Sequence, residues 1–197
     1  MTDWSAKLIA AATHDVETRT RLAQTGALFD GYNPEMEAVH LENAALLEDA
    51  IAALGWPGRG KVGEDGAASA FLILQHAISR PDLQRRGLAL ILDAIAEGEA
   101  NALDAAYLSD RIDTFEDRPQ TFGTQFDWDE SGLLSPRPVR EPAGLDERRA
   151  SVGLPPMAET IATMRARAAA EGDRPPGDLA TRRARFEEWA RRVGWRA

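Results

Sequence analysis

Residues 67–98 read AASAFLILQHAISRPDLQRRGLALILDAIAEG, and this stretch decides the fold. Ala67 through Leu74 is almost unbroken apolar text written in alanine and leucine, which predicts a central helix over 64–79. Pro81 breaks it. A second helix is expected over 82–96 with Leu88, Ile91, Leu92 and Ile95 inward, and Gly98 stops that one. Two consecutive helices without a strand between them set the pattern for the rest.

Upstream, a helix is expected over 3–24 with Leu8, Ala12, Val16 and Leu22 near one face. The Asp30-Gly31-Tyr32-Asn33-Pro34 cluster ends that region. Asn33 is a natural N-cap with Pro34 at the first helical position, opening a helix over 34–54 with Gly55 as its C-terminal stop. Residues 55–66, GWPGRGKVGEDG, read as a loop. Downstream, a helix is expected over 101–112 with Leu103, Tyr107 and Leu108 in the core.

The character changes at Thr114. Residues 114–143 carry Gln, Phe, Trp, Asp and Pro with no helical period, and read as an irregular segment with room for one short hairpin. Such long segments in compact domains are often functional. Helices over 145–152, 157–170 and 178–193 complete the chain. The expectation is an all-α, bundle-like domain over 1–160 followed by a basic, arginine-rich helical extension over 161–197.

Composition narrows the chemistry. With 197 residues and 44% hydrophobic content the chain can bury a core. It has no cysteine, so disulfides, thiolate nucleophiles, CxxC zinc sites and iron–sulfur clusters are excluded. The apolar run Leu8–Ala12 is too short for a secretory segment and nothing approaches a membrane span, so a cytoplasmic protein is expected. A net charge of −9 argues against affinity for nucleic acid or an anionic membrane. The charge is uneven: residues 1–136 hold 10 Lys/Arg against 23 Asp/Glu, and residues 137–197 hold 13 against 9. A basic C-terminal helix packing on an acidic body, within one chain or across a homodimer, follows from that split.

Several chemical signals compete. Gly55-Trp56-Pro57-Gly58-Arg59-Gly60-Lys61 satisfies the GxxxxGK part of a phosphate loop, but Val62 stands where magnesium needs Ser or Thr, and helical text precedes it. The nucleotide reading is rejected. His76 falls at the end of the most apolar helix. Ser69 lies about 10 Å away along that helix, too far to be its nucleophilic partner. No local spacing forms a metal site: His40 and Glu42 point to different sides of a helix, and a break separates His76 from Asp82. No metal and no cofactor are expected. Asp110 and Arg111 project about 100° apart and need separate partners. The segment Gln120-Thr121-Phe122-Gly123-Thr124-Gln125-Phe126 supplies neutral donors and acceptors beside aromatic surface. If extended, it would turn Gln120, Phe122, Thr124 and Phe126 one way.

Gly55-Trp56-Pro57, Val62-Gly63, Gln75-His76-Ala77, Gln84, Tyr107-Leu108-Ser109-Asp110-Arg111, Gln120 through Gln125, and Asp146-Glu147-Arg148-Arg149 with Gly153-Leu154-Pro155 stand in a distinctive order. Together they resemble a bacterial helical domain-of-unknown-function family with GWP, QHA, AYLxDR and QxYGTQ motifs. The resemblance covers about Asp15 to Glu159 and leaves the segment after Ala170 outside. Phe122 replaces the usual tyrosine, so no phenolic hydroxyl is needed there, and His40 stands where an acid is expected. The resemblance implies that His76, Asp110, Arg111, Gln120 and Gln125 share one site.

The resulting expectation is a cofactor-independent enzyme for hydrolysis or proton transfer on a small polar molecule or peptide. His76 is the general acid/base and Asp110 orients it. Arg111 holds an anionic group, and Gln75, Gln120, Thr124, Gln125 and Trp56 bind substrate. The alternative is a non-catalytic ligand-binding or structural, protein-interaction module.

Overall fold

The computed structural model describes residues 2–27 and 31–197. Asp30, placed by the sequence reading in a helix-breaking cluster, lies outside them. The described residues form eight helices and one two-stranded sheet, and the chain divides into two compact units, residues 1–104 and 105–197.

The first unit contains α1 (Trp4–Gln24), α2 (Pro34–Leu54), α3 (Arg59–His76) and α4 (Pro81–Ala96). α1, α2 and α3 pack pairwise, and α4 packs on α3. Asn33 caps α2 as expected, its Oδ1 accepting from the Glu35 and Met36 amides at 2.9 and 3.3 Å. The inward stripe of α1 is Leu8, Ala12, Asp15, Thr18 and Leu22, at helical spacing. Val16, expected on that face, is exposed, and Asp15 takes the inward place. Asn43 ties α2 to α1 by donating to the Ala11 carbonyl at 3.1 Å.

α3 begins earlier than the glycine-rich text predicts. Gly60 donates its amide to Glu99, and the Arg59 amide donates to the Glu99 carbonyl at 3.3 Å, so a distant residue supports the first turn. Gly63, at φ +73°, then kinks the helix before its apolar run. α4 presents Leu83, Gln84, Gly87, Ile91 and Ala94 inward. Leu92, expected inward, is exposed because the stripe is rotated by one position. Gln84 donates its amide hydrogens to the Leu74 and Gln75 carbonyls at 2.9 and 3.0 Å, satisfying the otherwise open end of α3.

The second unit holds most of α5 (Ala102–Phe115), the antiparallel pair β1 (Phe126–Trp128) and β2 (Leu134–Pro136), then α6 (Leu145–Ser151), α7 (Met157–Glu171) and α8 (Leu179–Val193). The hairpin expected in the irregular segment is thus present. Phe115 packs against Phe186, Trp189 and Trp195, with ring centroids 5.0–5.9 Å apart. Arg196 closes the C-terminal end of α5 by donating to the Thr114 and Phe115 carbonyls at 3.1 and 2.7 Å. The basic last helix therefore supplies core side chains. Its Arg182 pairs with Asp127 at 2.6 Å, and Arg183 with Glu130 at 3.7 Å. No described helix is long and apolar enough to cross a membrane.

Candidate functional site

Three helices of the first unit converge on one carboxylate. α1 carries Asp15, α2 carries His40, and His76 is the last residue of α3. The Asp15 side chain is wholly buried, while those of His40 and His76 retain 11% and 23% of their exposure. His76 Nδ1 lies 3.0 Å from both Asp15 oxygens. His40 Nε2 lies 3.3 Å from Asp15 Oδ2, yet it is buried and not aligned to hydrogen-bond to it. The two imidazoles are 5.1 Å apart, inclined at 46°.

Behind His40 stands a polar chain. The Tyr32 hydroxyl is 2.6 Å from His40 Nδ1 and also hydrogen-bonds Ser79. Ser79 in turn donates to Glu37 Oε1 at 2.6 Å. Burial alone raises the Asp15 carboxyl, but the two imidazoles, His76 hydrogen-bonded to it and His40 in close contact, outweigh it and hold Asp15 well below the usual carboxylate range. Burial, with the Glu37 charge, pushes the Tyr32 phenol above its ordinary value, so its O–H remains a donor. One ligand atom from each of Asp15, His40 and His76 falls within 4.8 Å of the others, so this trio could hold a metal ion.

In the second unit the polar loop wraps around a different carboxylate. Asp110 accepts from the Thr121, Phe122 and Thr124 amides at 2.8, 3.0 and 2.8 Å. The loop is therefore curled about Asp110 rather than extended. Gln120, fully buried, donates to the Gln125 and Arg137 carbonyls at 3.0 and 2.9 Å, and its carbonyl accepts from the Gln125 amide at 2.7 Å. On the loop's carbonyl side, Arg148 donates to the Thr121 carbonyl at 3.0 Å and buried Arg149 to the Phe122 carbonyl at 2.6 Å. Arg149 also donates to the Pro155 carbonyl and Thr160, and its burial lowers the guanidinium pKa. The motif residues thus hold one another.

The candidates from the sequence divide accordingly. His76, Gln75 and Trp56 belong to the first unit, and Asp110, Arg111, Gln120, Thr124 and Gln125 to the second. The carboxylate that orients His76 is Asp15, not Asp110, whose oxygens accept from the loop amides. Trp56 is buried. The Gln125 side chain donates to Thr124 Oγ1 at 3.0 Å. Arg111 keeps its Nε buried without an acceptor among the described residues, and burial pushes its pKa down to about 10. A hollow lined by Pro142, Gly144, Leu145, Asp146, Glu147 and Met157 contains none of these candidates. Asp15 and Tyr32 were missed. Asp15 had a legible signal: it is the one ionised residue within the stripe Leu8, Ala12, Thr18, Leu22.

Residues 3–185 match the model of a family of unknown function, DUF6624. The chain belongs to that family. The DUF6624 match takes in the Asp15 cluster and the Asp110 loop, and it extends past Ala170 into α8, beyond where the motif resemblance stops. No curated protein and no solved structure matches the chain.

Proposed function

We propose that this DUF6624 chain is an enzyme that performs hydrolysis or proton transfer on a small polar molecule or peptide, with Asp15, His40 and His76 as its reacting centre. The observation that carries this reading is a fully buried carboxylate clamping His76 Nδ1, while the opposite edge of that partly exposed ring meets no protein partner among the described residues. A carboxylate on Nδ1 fixes the ring orientation and places the proton there, leaving the Nε2 lone pair to accept one from water or substrate. His40 closes the other side of Asp15 and limits water access to the carboxylate. Asp110 and Gln120 act as anchors of the loop in this reading.

The test is a panel of simple ester, amide and phosphoester substrates assayed with wild type, His76→Gln and Asp15→Asn. A proton-transfer group contributes roughly 10²- to 10⁴-fold to a rate. His76→Gln is expected to lose about that factor while retaining wild-type helicity and melting temperature within a few degrees. Equal turnover by wild type and a folded His76→Gln protein overturns the reading, as does wild-type inertness across the panel.

A further inference from the structure

We propose that Asp15, His40 and His76 bind one divalent transition-metal ion of the zinc class, and that Tyr32 positions His40 as a ligand. The proposal rests on the same three residues as the reading above, but not on any reaction occurring there.

The argument starts from hydrogen-bond direction. The Glu37 carboxylate only accepts, so the Ser79 hydroxyl proton at 2.6 Å belongs to that bond. Ser79 Oγ then has no proton left for Tyr32 and can only accept from its hydroxyl. With its own proton committed, Tyr32 Oη accepts from His40 Nδ1, 2.6 Å away. This chain places the His40 proton on Nδ1 and leaves a bare lone pair on Nε2.

That lone pair faces a carboxylate. His40 Nε2 is buried, has no hydrogen-bond partner among the described residues, and lies 3.3 Å from Asp15 Oδ2. Two electron-pair donors confronting each other away from water repel, and a buried acceptor with no donor is costly. A proton on Nε2 would turn the contact into a 3.3 Å ion pair without hydrogen-bond alignment, a weaker answer than a shared cation. A cation between the two atoms satisfies both.

The two carboxylate–imidazole spacings fit such an ion, and the two imidazole nitrogens lie within 4.8 Å of each other. First-row divalent metals hold imidazole nitrogen and carboxylate oxygen at about 2.0–2.2 Å, which separates neighbouring ligand atoms by roughly 3.0–3.4 Å. The Asp15 carboxylate lies 3.0 Å from His76 Nδ1 and 3.3 Å from His40 Nε2. Binding changes the His76 tautomer: Nδ1 would give its lone pair to the metal and the proton would move to Nε2, so the proton-accepting role given to Nε2 above belongs to the metal-free protein. Two imidazoles and one carboxylate suit zinc, iron(II), cobalt or nickel, whereas magnesium and calcium prefer all-oxygen shells. Three protein ligands leave positions for water, and partly exposed His76 marks the side from which it enters.

The experiment uses the full chain, stripped with a chelator and titrated calorimetrically with Zn²⁺, Co²⁺ and Mg²⁺. The expected result is one equivalent of Zn²⁺ or Co²⁺ at micromolar affinity or tighter, with visible Co²⁺ absorption bands and no Mg²⁺ binding. His76→Ala is expected to weaken Zn²⁺ at least 100-fold. Tyr32→Phe, which keeps the ring and removes the His40 acceptor, is expected to weaken it about 10- to 100-fold, the range for outer-shell partners. Circular dichroism checks that each variant is folded. Absence of saturable Zn²⁺ and Co²⁺ binding overturns the proposal, as does affinity unchanged in His76→Ala or equal affinity for Mg²⁺. Metal binding without turnover of any substrate defeats the enzymatic reading alone. Turnover by stripped protein that binds no metal defeats this inference alone.

Discussion

Asp110→Asn separates a structural carboxylate from a catalytic one. Three backbone N–H groups, from Thr121, Phe122 and Thr124, converge on Asp110 at 2.8–3.0 Å, and the residue is fully buried. A hydrogen bond to a charged acceptor contributes about 1.5–3 kcal/mol, and a buried group left without a partner costs about 1–3 kcal/mol. Asparagine keeps one oxygen for the Thr121 and Phe122 amides, now as a neutral acceptor. Its NH₂ replaces the oxygen that served Thr124, so a donor meets a donor. The expected loss is about 3–5 kcal/mol from the second unit. Urea unfolding followed by tryptophan fluorescence reads it, because Trp189 and Trp195 lie in that unit's aromatic cluster. Hydrogen exchange at Thr121, Phe122 and Thr124 should accelerate at the same time. A change below about 1 kcal/mol with exchange unaltered refutes the reasoning. Lost activity at full stability would instead make Asp110 part of the chemistry.

Burial raises the Asp104 carboxyl, against the opposing pull of the Asn101 hydrogen bond and the Arg59 charge. The folded value lies above the unfolded one, so Asp104's contribution is most favourable at low pH and is lost as pH rises through the ordinary carboxylate range near 4. Asp104→Asn should therefore gain stability relative to wild type at neutral pH and lose that advantage at about pH 3, as thermal melts across pH would show. Gly87→Ala tests the approach of α4 to α3. An added Cβ would lie 2.5 and 2.7 Å from the two methyl carbons of fully buried Leu74, so a cost of about 1–3 kcal/mol is expected in a melting experiment.

The helices were legible wherever their ends are written in local chemistry. Asn33-Pro34 starts α2, Gly55 ends it, and Pro81 is the first residue of α4, while α3 stops at His76, three residues before its expected end at 79. α3 was misjudged because its first turn depends on Glu99, 39 residues from Gly60, and no local pattern announces that. The α1 and α4 faces were each read about one position off, at Val16 and Leu92, because apolar residues on neighbouring helical positions compete for the same stripe.

The motif-bearing residues were legible as a group, but their number carried no information about their purpose. Asp110, Gln120, Arg148 and Arg149 bond to the loop's own amides and carbonyls, a use that looks from sequence like a dense recognition surface. The Asp15 cluster is the reverse: three residues on three separate helices, joined only after α1, α2 and α3 pack. What marks it in the sequence is a conflict, not a motif. A carboxylate on an apolar helical stripe must find partners or be neutralised, and the hydrophobic pattern that buries Leu8, Ala12 and Leu22 carries Asp15 inward with them. Two imidazoles answer that demand, and one of them, His40, faces Asp15 through an Nε2 that has no hydrogen-bond partner among the described residues. Metal binding, as proposed above, would satisfy that nitrogen and the carboxylate together, which is why the titration with Zn²⁺ decides the reading.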